Sequence, residues 1–216
     1  MPGRMRYAYL LVTLALLIVG RPFLPDLGRG LLLGILVLSL LTAAVTSATH
    51  RYQVWVGVAL TATILIASLM PHEPGRFDVG VVPHSIGMIY WVFTGSLILR
   101  RILLDTTRVS IDAINGAICI YLMIGIGWAE AYTLLATLEP ASFSFNGEVL
   151  ASGVHSFERF VGFSFVTLTT LGYGNVVPLT ARANALAIAE AIAGQLYLAV
   201  LVARLVALEI ASRRRD

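Results

Sequence analysis

Residues 167–175 read Thr-Leu-Thr-Thr-Leu-Gly-Tyr-Gly-Asn and stand between a short apolar stretch, 156–168, and a long one, 183–210. Two glycines in three residues take the chain out of helical geometry, because glycine adopts backbone angles that other residues resist. Irregular backbone at membrane depth is tolerated only where protein or a water-filled cavity surrounds it. An extended ribbon with glycines on both sides of Tyr173 can aim successive carbonyl oxygens at one axis, where they stand in for the hydration shell of a cation. One ribbon cannot enclose an ion, and the chain holds a single copy, so several chains are expected to meet around a shared axis with cyclic symmetry.

Composition places this ribbon in lipid. Hydrophobic residues make up 58% of the 216 and charged residues 12%, about half the usual soluble share, and the mean hydropathy is +0.86. This is the profile of a multi-pass membrane protein with no nucleic-acid partner. The single Cys119 excludes an internal disulfide, leaving helix packing and hydrogen bonding to hold the fold.

Apolar runs lie at 7–20, 30–48, 54–70, 85–99, 111–138 and 183–210, each near the length needed to cross about 30 Å of hydrocarbon. Six spans are therefore expected, in an all-α membrane protein. The first run, with Arg4 and Arg6 ahead of it, also has the outline of a signal peptide, but no small-x-small cleavage site follows Val19 and Arg21 interrupts at once. With the N-terminus in the cytoplasm, Arg4, Arg6, Arg51, Arg100, Arg101, Arg108, Arg213, Arg214 and Arg215 fall inside, and Arg21, Arg29, Arg76, Arg159 and Arg182 outside. This distribution puts both termini in the cytoplasm of a plasma (inner) membrane and 139–174 on the outer side. The stretch 156–168 is too short to cross and reads as a re-entrant helix, with Ser156 as a cap and Glu158 in a first turn that favours negative charge.

The octapeptide Thr167-Leu168-Thr169-Thr170-Leu171-Gly172-Tyr173-Gly174 resembles the potassium-channel signature T-x-T-T-x-G-Y-G. The resemblance extends over residues 109–210, as outer helix, pore helix, filter and inner helix in order. It implies a homotetramer in membrane lipid whose stacked K+ sites, with no organic cofactor, are built from the backbone carbonyls of Thr170, Leu171, Gly172 and Tyr173 and the Thr170 hydroxyl, with Gly174 closing the motif. Trp128-Ala129-Glu130-Ala131 is similar to the end of the outer helix in voltage-gated members, where the glutamate bonds backbone amides behind the filter. Asn175 replaces the usual Asp, and Gly162-Phe163 replaces the paired tryptophans of many pore helices. Phe163 and Val166 are the expected supports of a filter less tightly braced than is typical. Gly194, twenty residues after Gly174, resembles a hinge glycine; close packing between helices is the alternative.

The remaining ionisable residues leave more open. Glu190 in the last span is expected to pair with Arg159, a backbone amide or water, and Arg204 to snorkel to the headgroups. His72, His84 and His155 in outer segments are candidates for pH sensitivity, and Arg213, Arg214 and Arg215 for lipid contact or topology anchoring. Voltage sensing needs several arginines along one span, whereas 85–99 holds none before Arg100 and the first three spans hold no Asp or Glu. The expected division is a four-helix unit, 1–108, without sensor arginines, and a pore domain, 109–216. About six residues follow Ile210, too few for a soluble regulatory module. The reading is a potassium channel without steep voltage gating, not an enzyme; the alternatives are a weakly selective cation channel, a hydrolase using Ser164 and His155, and a transporter.

Overall fold

The computed structural model describes residues 6–19, 29–69, 77–104, 110–150 and 156–213. The expectations for His72, His155, Arg4, Arg21, Arg76, Arg108, Arg214, Arg215 and the 108/109 boundary lie outside them. Six helices coincide with the six apolar runs: α1 (Arg6–Val19), α2 (Arg29–Ser47), α3 (Arg51–Leu69), α4 (Phe77–Leu104), α5 (Ile111–Leu138) and α7 (Ala181–Arg213). The seventh, α6 (Ser156–Leu168), has 13 residues and spans about 20 Å, too little to cross a bilayer. Helices long and apolar enough to cross are found at Val81–Leu104, Ile111–Leu138 and Ala181–Arg204.

The fold is not purely helical. A three-stranded antiparallel sheet of order β2-β1-β3 is built from β1 (Phe143–Phe145), β2 (Glu148–Val149) and β3 (Val176–Pro178). The alternation Phe143-Ser144-Phe145 and the turn at Asn146 and Gly147, both at positive φ, are the local signals for it. Hydropathy also undercounts α4, which runs through Pro83 and beyond Arg100 and Arg101.

Lipid tails are as apolar as leucine, so close packing and hydrogen bonds rather than water exclusion select the helix contacts. A Cβ at Gly57 of α3 would lie 2.5 Å from the Ala44 Cβ of α2, a crossing open only to small residues. Thr13 and Thr42 hydroxyls meet at 3.1 Å between α1 and α2, and the Tyr90 hydroxyl of α4 donates to the Leu40 carbonyl of α2. Helix α5 is the hub. Ser110 caps it by accepting from the Ala113 amide at 3.1 Å, and Asp112 in its first turn accepts from the Tyr7 amide of α1 at 3.0 Å, occupying a donor the α1 start would leave free. One buried cluster joins Tyr7, Leu10 and Leu14 of α1 and Tyr90, Trp91 and Ile98 of α4 to Cys119, Ile120, Met123 and Ile126 of α5. A second gathers Tyr132, Phe143, Phe160 and Phe163 where α5, β1 and α6 meet.

Candidate functional site

The buried residues Phe160, Phe163, Ser164 and Leu168 recur at helical spacing and turn one face of α6 into the protein. The helix ends in a Schellman motif: the Leu171 amide donates to the Val166 carbonyl at 2.9 Å and the Thr170 amide to the Thr167 carbonyl at 3.0 Å. Glycine usually fills the left-handed position of that motif, but here it is Thr170, at φ 60°. A β-branched residue in that region is strained, by about 1–3 kcal/mol.

From Thr170 onward every second residue is left-handed, with Gly172 at φ 63° and Gly174 at φ 74°, while Leu171 and Tyr173 are not. Alternating the hand at each residue turns successive peptide units the same way, so amides collect on one side of the ribbon and carbonyls on the other. No hydrogen bond among the described residues reaches the carbonyls of Thr170, Leu171, Gly172 or Tyr173. Residues 169–175 are exposed in the single chain, Tyr173 at 72%. Both ends of the ribbon are held. Helix α6 fixes the start, and beyond it the Asn175 carbonyl accepts from the Asn146 amide at 2.8 Å and β3 pairs with β1. The Asn175 side chain accepts from the Val176 amide at 3.0 Å.

Phe163 lies on the buried face of α6 in an aromatic cluster, its ring centroid 5.0 Å from Tyr132 and 5.9 Å from Phe143. Packing stands there instead of hydrogen bonding, and Val166 serves through its carbonyl. Gly194 is buried against the end of α6, where an added Cβ would lie 2.7 Å from the Leu168 carbonyl oxygen.

Several polar partners differ from those the sequence suggested. Glu130 faces α4 rather than the back of the ribbon: its Oε2 lies 2.6 Å from Nδ1 of His84, whose ring stacks on Phe157 of α6 at 6.0 Å. Arg159 lies over the Phe145 ring at 4.2 Å, so Glu190 does not pair with it. Glu190 instead stands behind α6, its two carboxyl oxygens within hydrogen-bonding distance of Tyr132 of α5 and Ser164 of α6. Arg204 donates to the Ile102 and Leu103 carbonyls of α4 at 2.6 and 3.1 Å, capping that helix rather than reaching for headgroups. The Ser164 hydroxyl is fully buried and engaged, so it is not presented to a substrate as a nucleophile.

Residues 132–209 match the family model described as Ion channel. The match covers 78 of the 216 residues and likens that segment to an ion channel. Its bounds take in the end of α5, the sheet, α6, the ribbon and most of α7. No curated protein and no solved structure matches the chain. Three helices among the described residues are long and apolar enough to cross a membrane, which agrees with the likeness of residues 132–209 to an ion channel.

Proposed function

We propose that the chain is one subunit of a homotetrameric, potassium-selective channel whose filter is the ribbon 170–174. The observation that carries the reading is this ribbon: alternating backbone hand, four successive carbonyls without a hydrogen-bond partner among the described residues, and an anchor at each end. Carbonyls of four such ribbons around one axis, with the Thr170 hydroxyls at the start, replace the water shell of K+ at successive sites. Helix α6 is the pore helix, α5 and α7 the outer and inner helices, and α1–α4 complete a six-span subunit with both termini in the cytoplasm. The exposure of Leu171 (59%) and Tyr173 (72%) in the single chain supports assembly, because these groups are covered only when other copies close the ring.

Opening does not depend steeply on voltage, since α4 carries its only arginines, Arg100 and Arg101, at its C-terminal end. The test is K+ flux in liposomes carrying purified protein, with bi-ionic K+/Na+ reversal potentials and barium block. A barium-blocked current that strongly prefers K+ is the expected result. Equal permeation of Na+ would convert the reading to a weakly selective cation channel on the same fold, and an absence of current would end it.

A further inference from the structure

Glu190 is fully buried at a three-helix junction, and among the described residues no cation lies within salt-bridge distance of it. Its partners are two hydroxyls. Tyr132 of α5 donates to Oε2 at 2.5 Å, and Ser164 of α6 lies within hydrogen-bonding distance of Oε1. The same Ser164 Oγ is also 2.7 Å from the Gly125 carbonyl oxygen of α5. All three side chains are at 0% exposure, so bulk solvent does not reach them.

The protons can be counted. Three oxygen-to-oxygen contacts need three protons, and the two hydroxyls bring one each. The Gly125 carbonyl only accepts, so the Ser164 proton belongs to that contact, and Tyr132 supplies the contact to Oε2. The contact between Ser164 and Oε1 then needs a proton from the carboxyl itself. With an ionised Glu190, two acceptors would face each other across that contact, and an unpaired charge would be buried besides, which costs more than a neutral group satisfied on both oxygens.

We infer that Glu190 is held as a neutral carboxylic acid that donates to Ser164, a proton-bearing clasp joining α7 to α6 and, through Tyr132 and Gly125, to α5. One turn further along, Gly194 of α7 meets Leu168 of α6, so the two contacts run in register down to the last residue of α6, just ahead of the ribbon. Glu190 is thus a positioning residue: it touches no ion but fixes the helix from which the ribbon springs. Only this last step rests on the proposed channel function, since the proton assignment is a matter of the junction alone.

The experiment is infrared spectroscopy of the full chain in lipid vesicles, alongside K+ flux, for the wild type, Glu190→Gln and Glu190→Ala. A glutamine amide donates to Ser164 and its carbonyl accepts from Tyr132, reproducing the neutral pattern. The wild type is expected to show a protonated-carboxyl stretch that Glu190→Gln removes. Flux of Glu190→Gln should stay within about threefold of the wild type, while Glu190→Ala, which strands two buried hydroxyls, loses about tenfold or more. A wild-type minus Glu190→Gln difference confined to the ionised-carboxylate region would overturn the assignment. So would a glutamine variant that fails to fold or is impaired as severely as Glu190→Ala. If the wild type itself passes no K+, the channel reading fails, and the infrared band alone decides the proton.

Discussion

At the scale of single residues, two backbone positions carry most of the constraint. Thr170 occupies a left-handed position where glycine is the easy choice, and the residue that bears this strain is the one whose hydroxyl opens the proposed ion path. Thr170→Gly should therefore raise the melting temperature of the purified protein by relieving the strain while lowering K+ over Na+ preference in reversal-potential measurements. An unchanged preference would remove the hydroxyl from the path. Gly194 is decided by space: with the Leu168 carbonyl 2.7 Å and Leu168 Cδ1 2.9 Å from an added Cβ, Gly194→Ala should destabilise the fold by about 1–3 kcal/mol in thermal unfolding. This contact accounts for the glycine as a packing residue whether or not the helix bends there. Spacing alone had left both options open, because the distance from Gly174 along the chain says nothing about what lies opposite.

At the scale of elements, polar side chains tie helices that apolar packing alone would leave free to slide. His84 of α4 and Glu130 of α5 form one such tie at 2.6 Å, and the stacking of His84 on Phe157 extends it to α6. A double-mutant cycle with His84→Ala and Glu130→Gln should give a coupling of about 0.5–3 kcal/mol in unfolding measurements; strict additivity would mean the two do not meet. Arg204 of α7 ties the last carbonyls of α4 in the same way. Its replacement by alanine should speed hydrogen exchange at the C-terminal end of α4, with little change in α1, and uniform exchange would show that the cap contributes nothing. Sequence reading located Glu130 and Arg204 on the correct helices, put His84 in an outer segment where the structure has it within α4, and missed most of their partners. Hydropathy also overlooked the sheet, whose strands are of two or three residues and gain their order from the pairing of β1 with segments on both sides of α6.

For the whole molecule, α1–α4 lean on α5 through the cluster of Tyr7, Leu10, Tyr90, Trp91 and Met123, so the N-terminal helices buttress the helix that leads into the segment matched to ion channels. Arg100 and Arg101 lie together near the end of α4 rather than at every third position along it. Conductance of reconstituted protein plotted against voltage should accordingly lack a steep sigmoid; a curve carrying several gating charges, each worth about 2.3 kcal/mol per 100 mV, would contradict this. Chemical cross-linking in vesicles should trap species up to a tetramer, and a ladder ending at the dimer would exclude the fourfold ring. What the amino-acid order alone determined is local: six apolar runs that become helices, a thirteen-residue helix too short to cross, and a glycine-punctuated ribbon whose left-handed positions include Gly172 and Gly174. Those features follow from hydropathy and from the angles each residue type permits, both properties of neighbouring residues. Only the tertiary structure decided that Glu190, not Glu130, stands behind α6 and that Arg204 caps α4, since a polar group's partner depends on which helix faces oppose each other across dozens of residues.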